Sequence, residues 1–117
     1  MTSLIACVST GKGTWAHVAQ LIRQEKWDKI YLVTEEFGMK FTAPANAEFI
    51  IIKNSKSVQD ISNDIQNQLK GKITDLEVAV NIISGEGKEH TALISALIKL
   101  GLGIRFVVAG LQSVEEL

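Results

Sequence analysis

The sequence predicts an α/β domain: a doubly wound, mainly parallel sheet of about five strands, with helices on both faces. Three observations lead there. Five short apolar runs, 4–8, 30–33, 49–52, 78–83 and 104–108, are continuous rather than alternating, as strands covered on both faces are. Segments of helical periodicity lie between them. Two glycine-bearing turns sit where an apolar strand passes into a helix.

The first strand, 4–8, contains the only cysteine, Cys7. The first helix, 14–24, sets Trp15, Val18, Ala19 and Ile22 on one face. After the second strand, 35–48 is broken by Gly38 and Pro44, while Phe37 and Phe41 keep helical spacing; one or two helical turns and then a loop are expected. The second full helix, 58–69, aligns Val58, Ile61, Ile65 and Leu69, with Ser57 and Asp60 in capping spacing and Gly71 at its end. The last helix, 90–100, is apolar almost all round and stops at Gly101. Such a helix is either deeply buried or a subunit interface. Right-handed crossovers then give the strand order 3-2-1-4-5. The switch point falls between the first and fourth strands, and ligands bind outside their C-terminal ends. The chain runs only to residue 117 after the fifth strand, so a sixth strand or a further domain is expected beyond it or not at all.

Composition narrows the function. The chain has 117 residues, 46% of them apolar, which is ample for one core. A formal net charge of −1 argues against strong binding to duplex nucleic acid. One cysteine provides no disulfide framework, which points to the cytoplasm. The short apolar run after Thr2-Ser3 is too brief for a signal peptide, and no stretch reaches the roughly 18 apolar residues of a membrane span.

The turn Ser84-Gly85-Glu86-Gly87-Lys88 leads from the fourth strand into the last helix. Glycine-exposed N–H groups, a helix start and one lysine make an anion site there. It is not a Walker loop, because the earlier glycine is missing and Glu89 stands where magnesium needs Ser or Thr. The turn Ser9-Thr10-Gly11-Lys12-Gly13-Thr14 follows the first strand in the same way. Candidate ligand-binding residues are therefore Ser9, Thr10, Gly11, Lys12, Gly13, Ser84, Gly85, Glu86, Gly87, Lys88 and His90.

Each has a plain structural reading beside the functional one. For any one of Ser9, Thr10, Thr14 and Ser84, helix capping is the better reading. Gly11 and Gly13 need only make a tight turn. His17 and His90 read as polar surface residues, with His90 nearer the proposed cleft. Trp15 could stack on a base, but its spacing favours core packing. Gly11, Gly13 and Ala16 also fit G-x-G-x-x-A, and Glu35 falls where a ribose-binding acid would sit, so NAD binding stays open. An interaction module dimerising through helix 90–100 is a further alternative. No His, Cys, Asp or Glu cluster has metal-ligand spacing.

In this turn, in the apolar helix behind it and in the strand 104–108, the sequence resembles the CARF domains, the CRISPR-associated Rossmann-fold family. Those domains often carry a Thr-Gly-Gly-Thr-Lys-like turn before an apolar helix; here Glu86 stands for a glycine and Gly87 for a threonine. The resemblance implies a homodimer that binds a cyclic oligoadenylate across its two-fold axis in antiviral signalling, with no cofactor. The positions it carries over are Ser9, Thr10, Gly11, Ser84, Gly85 and Lys88. Some members also cleave the ring without a metal. Lys88 would then stabilise charge, and Ser9 or Ser84 would position the attacking 2′-OH.

Overall fold

The computed structural model describes residues 2–9 and 12–117, and of Lys12 the backbone alone. The expected α/β sheet is there, with six strands in the order 3-2-1-4-5-6. Strands β1 (Leu4–Cys7), β2 (Ile30–Thr34), β3 (Ala47–Ile51), β4 (Glu77–Asn81) and β5 (Gly103–Ala109) run parallel. The helices are α1 (Lys12–Gln24), α2 (Val58–Leu69) and α3 (Gly87–Lys99).

The continuous apolar strands work because the pleat sends alternate residues to opposite faces. Ile5, Cys7, Tyr31, Val33, Val78 and Val80 pack with Ile61, Ile65 and Leu69 of α2 and with Leu93 and Leu97 of α3. Leu4, Ala6, Ile30, Leu32 and Ala79 pack with Val18 and Leu21 of α1, with Trp27 and with Phe41. Fully burying an aliphatic side chain contributes about 1.5–3 kcal/mol, and both faces of β1 do so at every position.

Several boundaries move from the sequence expectation. The segment after β2 does make a short helical stretch, the 3-10 helix Glu36–Lys40. Residues 114–116, which carry no apolar pattern, form a sixth strand, β6 (Val114–Glu116), antiparallel to β5. Helix α1 starts at Lys12 rather than Thr14, so Gly13 is helical rather than part of a loop. Helix α3 starts at Gly87 rather than His90, which puts Gly87 and Lys88 in its first turn. It ends in a Schellman arrangement: Gly101 has φ of 79° and donates to Ile98 O, while Leu102 donates to Leu97 O. Only one side of α3 is buried; Ile94 is half-buried and Ile98 exposed on the other. No helix among the described residues is long and apolar enough to cross a membrane.

Candidate ligand site at the ends of the first and fourth strands

Strands β1 and β4 lie side by side, with Ala6 opposite Asn81. Their C-terminal ends therefore deliver Ser9 and the Ser84–Glu86 turn to one place. A hydrogen bond ties the two: Ser9 Oγ donates to Glu89 Oε2 in the first turn of α3. Glu89 is fully buried. Its other oxygen accepts from Glu86 N–H at 3.2 Å, while the Glu86 side chain accepts from Glu89 N–H, closing a capping box built from two glutamates. Burying a carboxylate is costly unless it is hydrogen-bonded. Here two donors and the positive end of the α3 dipole face it.

The turn itself needs glycine. Gly85 has φ of +97°, and a Cβ there would come within 3.1 Å of His90 Nε2 and 3.3 Å of Cys7 Cβ. His90 Nε2 lies 2.8 Å from Ser84 O, so that nitrogen carries a proton and donates. Lys88 is half-buried rather than solvated: its Nζ donates to Asn54 O at 2.7 Å, in the loop after β3. Asn54 Nδ2 in turn donates to Glu35 Oε1 at 2.6 Å, at the end of β2. The open edge of the sheet is thus laced from α3 across to β2. The capping box takes up the N–H groups of Glu86 and Glu89, while those of Gly87 and Lys88 have no carbonyl one turn back in the helix.

Beside this lacing lies a cleft of about 390 Å³, lined by Ser9, Glu35, Glu36, Phe37, Ile51, Ile52 and Lys53. Cys7 lies under the Gly85 turn, its Cβ 3.3 Å from where a Gly85 Cβ would be. Burial first, and the charge of Glu89 second, push the Cys7 thiol far above its ordinary range, so it is no nucleophile.

The structure brings Ser9, Ser84, Gly85, Glu86, Gly87, Lys88 and His90 together. Thr10 and Gly11 lie outside the described residues, as does the side chain of Lys12. Gly13 sits exposed in α1, with nothing within 4 Å of where a Cβ would be. Capping falls to Glu86, not Ser84. Trp15 packs with Phe37 and Phe41, centroids 5.5 and 5.8 Å away, in keeping with its spacing. His17 is not a plain surface residue. Its Nε2 accepts from Ala109 N–H at 3.3 Å and lies 3.2 Å from Asn81 Nδ2, which also donates to Val107 O. That knot fastens α1 to the ends of β4 and β5. Glu89 is the residue the sequence reading passed over; only the Glu86-x-x-Glu89 spacing hinted at it. Among the described residues no group of three or more His, Cys, Asp or Glu is placed to hold a metal ion.

The chain matches no family model, and no curated protein or solved structure shows significant similarity to it.

Proposed function

We propose that this chain is a Rossmann-like sensor domain of the CARF kind, working inside the cell as a homodimer that binds a cyclic oligoadenylate. The observation that carries the reading is the Ser9–Glu89 hydrogen bond. It unites the two turns at the switch point, where a doubly wound sheet takes its ligand. Lys88 stands at the open edge of that place with the N–H groups of the α3 first turn, a charge and a set of donors suited to phosphate. Ile94 and Ile98 provide an apolar surface for a second copy. Ring cleavage, where it occurs, has a ribose 2′-oxygen attack the adjacent phosphorus and expel the 5′-oxygen, leaving a 2′,3′-cyclic phosphate. That chemistry asks the protein for positioning and charge stabilisation.

Cyclic tetra-adenylate or cyclic hexa-adenylate at a hundredfold excess over Kd is expected to add about 2.7 kcal/mol of stability, a rise of about 10 °C in Tm. No rise with either ring rejects the sensor reading. Lys88→Ala is expected to weaken binding about tenfold, the worth of one charged hydrogen bond. Calorimetric titration reads this apart from the stability lost with the Asn54 contact, and unchanged affinity removes Lys88 from the site. NAD binding keeps one structural argument, Glu35 directly after β2; NAD titration of wild type and Glu35→Ala decides it.

A further inference from the structure

We infer that the cleft beside Ser9 recognises a ribonucleoside by its 2′-hydroxyl, and that Glu89 sets this preference by fixing the direction of the Ser9 hydrogen bond. A serine hydroxyl has one proton to give. Ser9 gives it to the buried Glu89 carboxylate, which cannot turn away because its second oxygen holds Glu86 N–H. Ser9 is 8% exposed and lines the cleft, so what it offers a ligand is lone pairs. It is an acceptor, and an acceptor does not bind phosphate oxygens.

The rest of the lining has the same polarity. Glu35 uses Oε1 for Asn54 and keeps Oε2 without a partner among the described residues. Glu36 is a second carboxylate, exposed where Glu35 is half-buried. Asn54 Oδ1, bonded through its amide to Glu35 though outside the lining, is buried and has no hydrogen-bond partner among the described residues. Among the described residues that line the cleft, one cation, Lys53, stands against these acceptors. Two carboxylates and one ammonium repel a phosphodiester and welcome a group rich in O–H donors. A ribose 2′-hydroxyl supplies such a donor, and it stays free in a ring whose 3′-oxygens carry the phosphates. Phe37, Ile51 and Ile52 add an apolar wall that a flat base can cover, and about 390 Å³ is within the range of small-ligand clefts. Sugar in this cleft and phosphate toward Lys88 divide the polar work between the two sides of the Ser9–Glu89 bond. The choice of adenine rests on the nucleotide reading above; the 2′-hydroxyl rests on the cleft alone.

The probes are adenosine, 2′-deoxyadenosine and 3′-deoxyadenosine, titrated against the full chain by amide chemical shifts. Adenosine is expected to move the Ser9, Glu35 and Phe37 signals, with 2′-deoxyadenosine binding at least tenfold more weakly and 3′-deoxyadenosine, which lacks only the hydroxyl that a cyclic ring esterifies, binding like adenosine. Glu89→Gln keeps an oxygen for Glu86 N–H but turns an amide NH2 toward Ser9, which frees the serine proton to face the cleft. In that variant, and in Glu35→Gln, the ribo-to-2′-deoxy ratio is expected to fall below threefold. A fold check by the same spectrum separates loss of discrimination from loss of structure; Ser9→Ala, which removes the acceptor, must lose it as well. Equal binding of all three nucleosides, no binding of adenosine, or discrimination that survives Glu89→Gln overturns the inference. If cyclic tetra-adenylate still binds in those cases, the sensor reading stands without it. If adenosine is read by its 2′-hydroxyl while no cyclic ring binds, the sensor reading alone fails.

Discussion

Gly38→Ala is expected to destabilise the fold by about 3 kcal/mol or more, as overpacking against an immovable backbone does. A Cβ at Gly38 would fall 1.7 Å from Thr34 Oγ1 and 2.7 Å from Val8 O. Thr34 is fully buried at the end of β2 and donates to Glu35 O at 2.8 Å, so it has nowhere to swing. Val8 O is main chain at the end of the central strand. Gly38 also organises its own turn, donating to Glu35 O and accepting from Phe41 N, both at 3.0 Å. The alanine must therefore lift the 3-10 helix, and with it Glu35, Glu36 and Phe37, off the end of β1. For a domain with a total stability of about 5–15 kcal/mol this is a large fraction. Urea unfolding reads it as a lower midpoint with an unchanged slope. A midpoint equal to wild type would mean the 3-10 helix does not rest on Val8 and Thr34.

Glu89→Ala comes next, with an expected loss of about 3 kcal/mol from two stranded donors and a cavity in the first turn of α3. The donors are Ser9 Oγ–H and Glu86 N–H. Ser9→Ala costs less, about 1–2 kcal/mol, because the carboxylate keeps its capping bond. The double variant decides whether the two side chains act as a pair. Removing both leaves no orphan in the Ser9–Glu89 bond, while Glu86 N–H stays stranded as in Glu89→Ala alone, so the losses are expected to fall short of additive by about 1 kcal/mol or more. Strict additivity in urea unfolding would separate Ser9 from Glu89, and with it the union of the two turns.

The particular residues explain what could be read beforehand. The runs around Leu4, Leu32 and Val80 announce themselves because strands covered on both faces need apolar residues at every position. Helix α2 is legible for a local reason: Ser57 Oγ accepts from Asp60 N–H at 3.1 Å, a bond between residues three apart. The start of α3 is set back because its cap is Glu86, a poor capping type by preference, held in place by a glutamate whose own partner, Ser9, is 80 residues away. His17 is hidden for the same reason; its partners Asn81 and Ala109 are 64 and 92 residues distant. β6 has no signature because three edge residues are held by pairing with β5 rather than by burial. The turn Ser84–Lys88 could be picked out from its glycines. That Lys88 reaches Asn54, and that Glu89 rather than Glu86 is the buried acid, depends on how distant segments meet.

The central claim is that the joined turns after β1 and β4 hold a nucleotide. Amide chemical-shift mapping of the full chain with cyclic tetra-adenylate tests it most directly. The largest shifts are expected at Ser9 and across Ser84–His90, with a smaller set at Ile94 and Ile98, the proposed contact with a second copy. Shifts confined to the opposite end of the sheet, around Lys29, Asn46 and Lys72, or a spectrum the ligand leaves unchanged, would contradict it.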